Sequence, residues 1–557
     1  MLKSISKDII FSCFLLIASL SLTHLGAQVM DITLHDESYY LYSGVKLIKN
    51  GLPPADWAPL YAVWYYFLFL LEKNNIKLYY LNYKILIVLT TLMLYIFMRL
   101  IRITPLVSII ASFLYLLSPL HILCSGSLAT HFALLILLFF LLPTIFVKKE
   151  GWYYLLLCLG FMVISFIRPE YFISSIFIFA YFFILRPLIL RVPNHKPEIY
   201  KIFFLLLILL ILNYIFGNPL FGHRAWYAFG QHFSANFASW NNIPNSISRN
   251  WELVTRSVFG GAHNIFAALI NNNKEFVRHV CYNMPVYVYQ LGMLLLGLYF
   301  GIFSPLVNNL IRWFGFLFLL TVIGYYFFKR RPEAIRLAKD TLTKRLIIIF
   351  SAISITVFIS ALIIYPEPNY LFIQVVMLLL LLAYFISNTI ENNIKIRKIE
   401  IWKSLLLAMS IFSLSLNILI EWNFIQRKAA MWKWTKGQIQ PNLKTIRFIE
   451  SLNISQEVNV LAVDRAYTFY LNDNYKFIDP ESKKEDFNRF ILRNKINMII
   501  FDEDLEDDFR FINDDEFKIF LNNPHVLDFS EVAIPNTRRY LFVKEKLLEF
   551  QKFSIVR

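Results

Sequence analysis

Charge is what this sequence has least of. Only 17% of its 557 residues are Asp, Glu, Lys or Arg, against nearer a quarter in soluble domains. With 57% apolar residues, a soluble core could not absorb the hydrophobicity, so the bilayer must be the solvent for most of the chain. Cysteine is sparse too, at 4 residues. Cys13, Cys124 and Cys158 lie inside apolar runs, Cys281 is expected alone in a loop, and no CxxC pair exists. That excludes a disulfide framework and a cysteine zinc site. Acidic residues are outnumbered, 38 against 54 Lys and Arg, for a formal net charge of +16. The basic residues stand in short clusters between apolar runs, with no helix-turn-helix, RNP or zinc-finger pattern beside them. The excess therefore reads as the positive-inside bias and not as a nucleic-acid surface.

What the sequence does have is long apolar runs and aromatics, including 54 Phe and 31 Tyr. Runs of spanning length occur at about 9–29, 79–101, 105–124, 128–147, 152–168, 171–190, 201–217, 310–328, 346–365, 369–388 and 403–421, each near the length a bilayer requires. The first follows Lys3 and Lys7 and resembles a signal peptide, but its length suits a retained spanning helix better. The clusters Arg99/Arg102, Lys148/Lys149, Arg186/Arg191/Lys196, Lys329/Arg330/Arg331 and Lys395/Arg397/Lys398 fall in alternate loops. With the N-terminus inside, all of them are cytoplasmic. The opposite face then carries 30–78, 218–309 and the C-terminal tail. Residues 285–303 are apolar enough to span, but spanning would move Lys329–Arg331 outside, so they are expected to form an interfacial or re-entrant helix.

Beyond about Trp422 the charge rises. Val458–Val463 and Met498–Phe501 read as buried strands, and Leu443–Leu452 and Lys483–Asn494 as helices, a βαβ-like rhythm with a parallel core. No GxGxxG or GxxxxGK[ST] occurs there, which argues against nucleotide binding. The expected fold is a polytopic α-helical membrane protein with about eleven spanning helices over 1–421 and a small extracytoplasmic α/β domain over 422–557.

The first outer loop reads Asp31-Ile32-Thr33-Leu34-His35-Asp36-Glu37, then Gly51-Leu52-Pro53-Pro54, then Trp57-Ala58-Pro59-Leu60-Tyr61. Adjacent carboxylates at a helix start can simply favour the dipole, with Thr33 as a cap. Neighbours on a helix point about 100° apart, so Asp36 and Glu37 cannot flank one bond as a glycosidase pair does. The spacing permits one base, with its neighbour orienting something else.

These pieces resemble the first luminal loop of GT-C glycosyltransferases, of the protein O-mannosyltransferase and aminoarabinose transferase kind. Others follow in order: Ser118-Pro119-Leu120-His121 leading to Leu128-Ala129-Thr130-His131, Arg168-Pro169-Glu170, and Pro366-Glu367-Pro368-Asn369-Tyr370-Leu371. The chain departs from that pattern at His131, where relatives usually have an acidic residue, and at Asn369, where Arg is common. The resemblance implies a GT-C fold and a polyprenyl-phosphate-sugar donor. It also implies Asp36 as general base with Glu37 beside it, Arg168 near the donor phosphate, His131, Tyr61 and Tyr370 as further substrate contacts, and in some members a divalent metal ion at Asp36. A polyprenyl phosphate leaves without protonation, so one carboxylate suffices, and nearby cations stabilise it. Arg168 reads equally as a snorkelling helix-end residue, and His131 as structural. The segments His223-Arg224-Ala225-Trp226-Tyr227, Gln231-His232-Phe233, Trp240-Asn241-Asn242 and Arg249-Asn250-Trp251 suit a sugar or acceptor face, or an interfacial belt. The expected activity is inverting sugar transfer to an extracytoplasmic lipid, glycan or protein at a bacterial-type inner membrane. A lipid-linked sugar flippase and a lipid-linked glycan polymerase or ligase are the alternatives. A carrier should show broken helices in two related halves, which the sequence lacks.

Overall fold

The computed structural model describes residues 2–118, 121, 128–185, 199–219, 222–242, 251–296, 340–392 and 440–548. Among these, five helices are long and apolar enough to cross a membrane: Ser6–Gln28, Asn75–Leu100, Ala129–Phe146, Thr341–Ile363 and Pro368–Asn388. At about 1.5 Å per residue their 18 to 26 residues match a hydrocarbon core of about 30 Å. Local chemistry marks where two of them start. The Asn74 side chain accepts from the Lys77 amide at 2.9 Å, and Asp340 from the Thr343 amide at 3.1 Å, ordinary N-caps. Shorter apolar helices fill in between them: Pro59–Leu71, Pro105–Leu116, Glu150–Ser165, Tyr171–Ile184 and Tyr200–Phe216. Pro59 and Pro105 sit in the first turn, where no amide partner is lost. The expected runs at 105–124, 152–168, 171–190 and 201–217 thus appear as these shorter helices. Those at 310–328 and 403–421, with Lys329–Arg331 and the boundary near Trp422, lie outside the described residues.

The helix ends form two sets. At one end Asp8 pairs with Arg99 (2.6 Å), the Thr104 amide donates to Ser387 Oγ (2.8 Å), and Arg345 lies over Tyr153 and reaches the Thr144 carbonyl. Lys148 and Lys149 follow Thr144 closely in the chain, so the Arg99/Arg102 and Lys148/Lys149 clusters share that end with Arg345. At the other end the Leu60 amide donates to the Phe166 carbonyl, the Tyr80 hydroxyl to the Met30 carbonyl, and Arg168 packs over Tyr370. The first loop is therefore held against the ends of the spans opposite the basic clusters.

Of the stretch 285–303, expected as an interfacial or re-entrant helix, residues 297–303 lie outside the described residues, and residues 285–296 continue a helix that begins at Asn273 and runs to Leu296. Its second half packs against two spans, with Tyr287 bonded to Gln374 at 3.0 Å and edge-on to Phe358. Cys281, expected in a loop, lies within this helix. Polar residues of the same helix close a neighbour's end: Asn283 donates to the Leu362 carbonyl (2.9 Å), and His279 Nε2 lies 3.0 Å from that of Ile364. Otherwise-orphaned carbonyls at the end of Thr341–Ile363 are so satisfied.

The C-terminal region holds a five-stranded sheet in the order β2-β1-β3-β5-β4, from β1 (Val458–Leu461), β2 (Tyr475–Ile478), β3 (Met498–Phe501), β4 (Phe529–Ala533) and β5 (Tyr540–Lys544). β2, β1 and β3 are parallel, as the βαβ rhythm implies, while β4 and β5 add an antiparallel edge that the rhythm does not carry. This region packs on the first loop. Asp31 accepts from the amides of Asn442 (2.8 Å) and Leu443 (3.0 Å) at the start of helix Pro441–Ser451. Tyr470 donates to the Thr33 carbonyl, and the Phe469 ring stacks on Tyr42 at 4.1 Å.

Candidate functional site

Helix Asp36–Val45 lies so closely on helix Pro59–Leu71 that a Cβ at Gly44 would meet the Ala62 carbonyl at 2.7 Å and overlap the Tyr65 side chain. That contact sets the rotation of the helix and sends its first two carboxylates apart. Glu37 turns inward and is buried. Its Oε1 accepts from the hydroxyls of Tyr61 (2.6 Å) and Tyr65 and from Asn82 Nδ2 (3.1 Å), and its Oε2 accepts from the Leu128 amide at 2.8 Å. Burial raises its carboxyl to about 7 against the pull of the two tyrosine hydroxyls and the amide. One side chain thus joins four helices, and all four of these partners are neutral.

Asp36 turns outward. Its Oδ2 lies 2.5 Å from Arg224 Nη2, and its side chain remains 47% exposed, which leaves the carboxylate reachable. Arg224 opens the helix Arg224–Asn241, and its amide donates to Asp56 Oδ2 at 3.0 Å. Its guanidinium packs over Trp57 and Tyr40 and donates to the Tyr40 hydroxyl. Gly222 is required by this arrangement, since a Cβ there would overlap the Asp56 carboxylate.

Arg168 closes the site from the far side. It is buried, its Nε donates to Glu170 Oε1 at 2.8 Å, and it lies 4.6 Å from the Tyr370 ring centre. Its Nη2 approaches the same carboxylate to 2.7 Å as an ion pair, yet it makes no aligned hydrogen bond. Arg168 borders a cavity of about 220 Å³ whose lining includes Arg168, Arg224, Asp56, Glu170 and Tyr370 together with Ile173, Ile359 and Ile363. The cavity joins two guanidiniums and two carboxylates to aliphatic side chains from the ends of apolar helices.

The structure therefore brings Arg168 and Tyr370 together, with Asp36 reaching the cavity through its ion pair with Arg224. Glu37 and Tyr61 belong to the buried cluster behind the loop. His131 is elsewhere again: its Nε2 is 2.9 Å from His121 Nδ1, and its ring packs on Phe372. Asp56 is a site residue that sequence reasoning missed, and the sequence marks Arg224 only as part of a segment suiting a sugar or acceptor face or an interfacial belt. Arg224 stands within an aromatic-rich segment, and Asp56 beside Trp57 carries no motif signal. Among the described residues no three His, Cys, Asp or Glu side chains group as a cation site. The Asp36 carboxylate is engaged by a guanidinium and both Glu37 oxygens by neutral donors. This donor set does not fit a resident divalent ion. Compared with known proteins, the chain matches no family model and no curated protein.

Proposed function

We propose that the protein is a membrane glycosyltransferase that takes a sugar from a polyprenyl-phosphate carrier and passes it to an extracytoplasmic acceptor. The observation that carries this reading is the cavity in which two guanidiniums meet an aliphatic wall. A lipid phosphate has that same duality, an anion on an isoprenoid chain. Arg168 and Arg224 face the phosphate, and Ile173, Ile359 and Ile363 face the first isoprene units. The acceptor hydroxyl oxygen attacks the anomeric carbon as the bond from that carbon to the phosphate oxygen breaks. The lipid phosphate leaves with the bonding pair, gaining a negative charge that the two guanidiniums stabilise. The hydroxyl proton passes to Asp36, whose exposed carboxylate is reachable from water, whereas Glu37 is enclosed. The ordered resemblance to GT-C loops supports the same assignment.

Opposite ends for the basic clusters and the site agree with an N-terminus inside and a C-terminal domain outside. Reporter fusions placed after Trp422 should behave as extracytoplasmic. The test of function is transfer from purified polyprenyl-phosphate sugars to envelope acceptors, with mass spectrometry of surface glycans from a deletion strain and its parent. Loss of one glycan modification in the deletion strain, restored by the wild-type chain and not by Asp36→Asn, is expected. Unchanged glycans, or lipid translocation without transfer, would replace this reading with that of a carrier.

A further inference from the structure

We propose that Glu367, His232 and Tyr365 form the subsite that grips the sugar ring of the donor, next to the Arg168–Arg224 cavity. The inference rests on the transferase reading above. Tyr365 and Glu367 sit on the turn between the spans Thr341–Ile363 and Pro368–Asn388, and Ile363, Ile364 and Tyr370 around this turn line the cavity. His232 comes from the same helix as Arg224, eight residues on, about 12 Å of rise. That separation is on the order of the length of one phosphoryl group and one pyranose ring.

The three side chains have the chemistry a sugar needs. The His232 ring stacks on Tyr365, with centres 5.0 Å apart and planes 8° from parallel. Its Nε2 is 3.5 Å from Glu367 Oε1, long for a hydrogen bond, so neither group is saturated by the other. Burial holds His232 near 4, which makes the ring neutral at pH 7, with one N–H donor and one acceptor nitrogen. The Glu367 carboxyl is raised by burial, with Arg168 pulling it back and Asp36 adding to the rise, so it lies within electrostatic reach of both. A carboxylate accepts from two neighbouring hydroxyls, a neutral imidazole adds one donor or acceptor, and an aromatic face packs the C–H side of a pyranose. By contrast, the nearby Asn283 and His279 are used on helix-end carbonyls.

The experiment compares the affinity of the full-length protein, in detergent, for a polyprenyl phosphate and for its mannosyl, glucosyl and arabinosyl phosphodiesters. Wild type should bind at least one glycosylated form about tenfold or more tighter than the bare lipid phosphate, the scale of hydrogen bonds to a charged group. Glu367→Gln and His232→Ala should remove most of that preference and leave affinity for the bare lipid within about twofold, which also reports that each variant is folded. A retained sugar preference in both variants would overturn the proposal, as would equal loss of both ligands. If wild type binds no lipid phosphate at all, the transferase reading itself fails and the subsite with it. If it binds the bare lipid but prefers no glycosylated form, the subsite alone fails.

Discussion

Two regions meet at the start of one helix, the buried cluster behind the first loop and the cavity in front of it. Each holds a carboxylate from adjacent positions in the chain. Behind the loop, Glu37 is enclosed by Tyr61, Tyr65, Asn82 and the Leu128 amide. In front, Asp36 faces a guanidinium and water. A carboxylate whose oxygens are all taken by neutral donors has no room for a substrate proton, and its work is to hold helices together. A carboxylate with one counter-charge and open solvent can exchange partners. The difference teaches that neither acidity nor position in a motif separates the proposed base from the strut; the partners do.

The sharpest test of that contrast is turnover. Asp36→Asn should lose about 10² to 10⁴ in transfer rate while still inserting and binding lipid phosphate, whereas Glu37→Gln keeps most activity in its folded fraction. Equal losses in the two variants would break the comparison.

Stability should show the reverse order. Glu37→Ala leaves two tyrosine hydroxyls and a helix N-terminal amide without their acceptor, at about 1–3 kcal/mol for each group left unsatisfied. Thermal unfolding in detergent should drop well below that of Asp36→Ala, and a smaller drop would show that the cluster is not a strut.

The pH dependence isolates the same carboxyl. Glu37 binds its proton more tightly folded than unfolded, since burial raises it from 4.5 to about 7. Its contribution is therefore fully present below about 4.5 and lost as pH climbs to about 7, on the order of 3 kcal/mol. The difference in stability between wild type and Glu37→Gln, followed from pH 4 to 8, should trace that window. A flat difference would show that Glu37 stays ionised throughout.

On the cavity side, Arg168→Ala and Arg224→Ala should each weaken binding of a polyprenyl phosphate about ten- to a hundredfold, the range for charge-assisted hydrogen bonds. Unchanged affinity in Arg168→Ala would make it a snorkelling residue only. The smallest effect concerns the loop's outer anchor. Asp31→Ala removes the cap of helix Pro441–Ser451, about 1 kcal/mol, and should speed amide exchange in that helix without altering lipid-phosphate affinity.

The strands Val458–Leu461 and Met498–Phe501 were legible because short apolar runs between charged stretches have few other ways to be buried. The spans 79–101, 128–147, 346–365 and 369–388 were legible for the same reason in a different solvent, since twenty apolar residues commit a segment to the bilayer wherever it stands. The divergence of Asp36 and Glu37 was legible too, because helical geometry alone separates adjacent side chains. The antiparallel strand β4 was not, because its alternating, half-exposed pattern competes with amphipathic helix, and without it the buried run of β5 has no edge partner to mark its direction.

The sequence by itself determined that this is a membrane chain with a small α/β region after its apolar part, and that one carboxylate of the first loop must point away from the other. Which one faces water was decided only by the tertiary structure, because the rotation of helix Asp36–Val45 is set by Gly44 closing on Tyr65 from another helix. Likewise Asp56, Arg168, Arg224 and Tyr370 lie far apart in the chain, and no periodicity links them. They share a cavity because packed spans bring their ends together, and that convergence is a property of the packing, which no local stretch of residues carries.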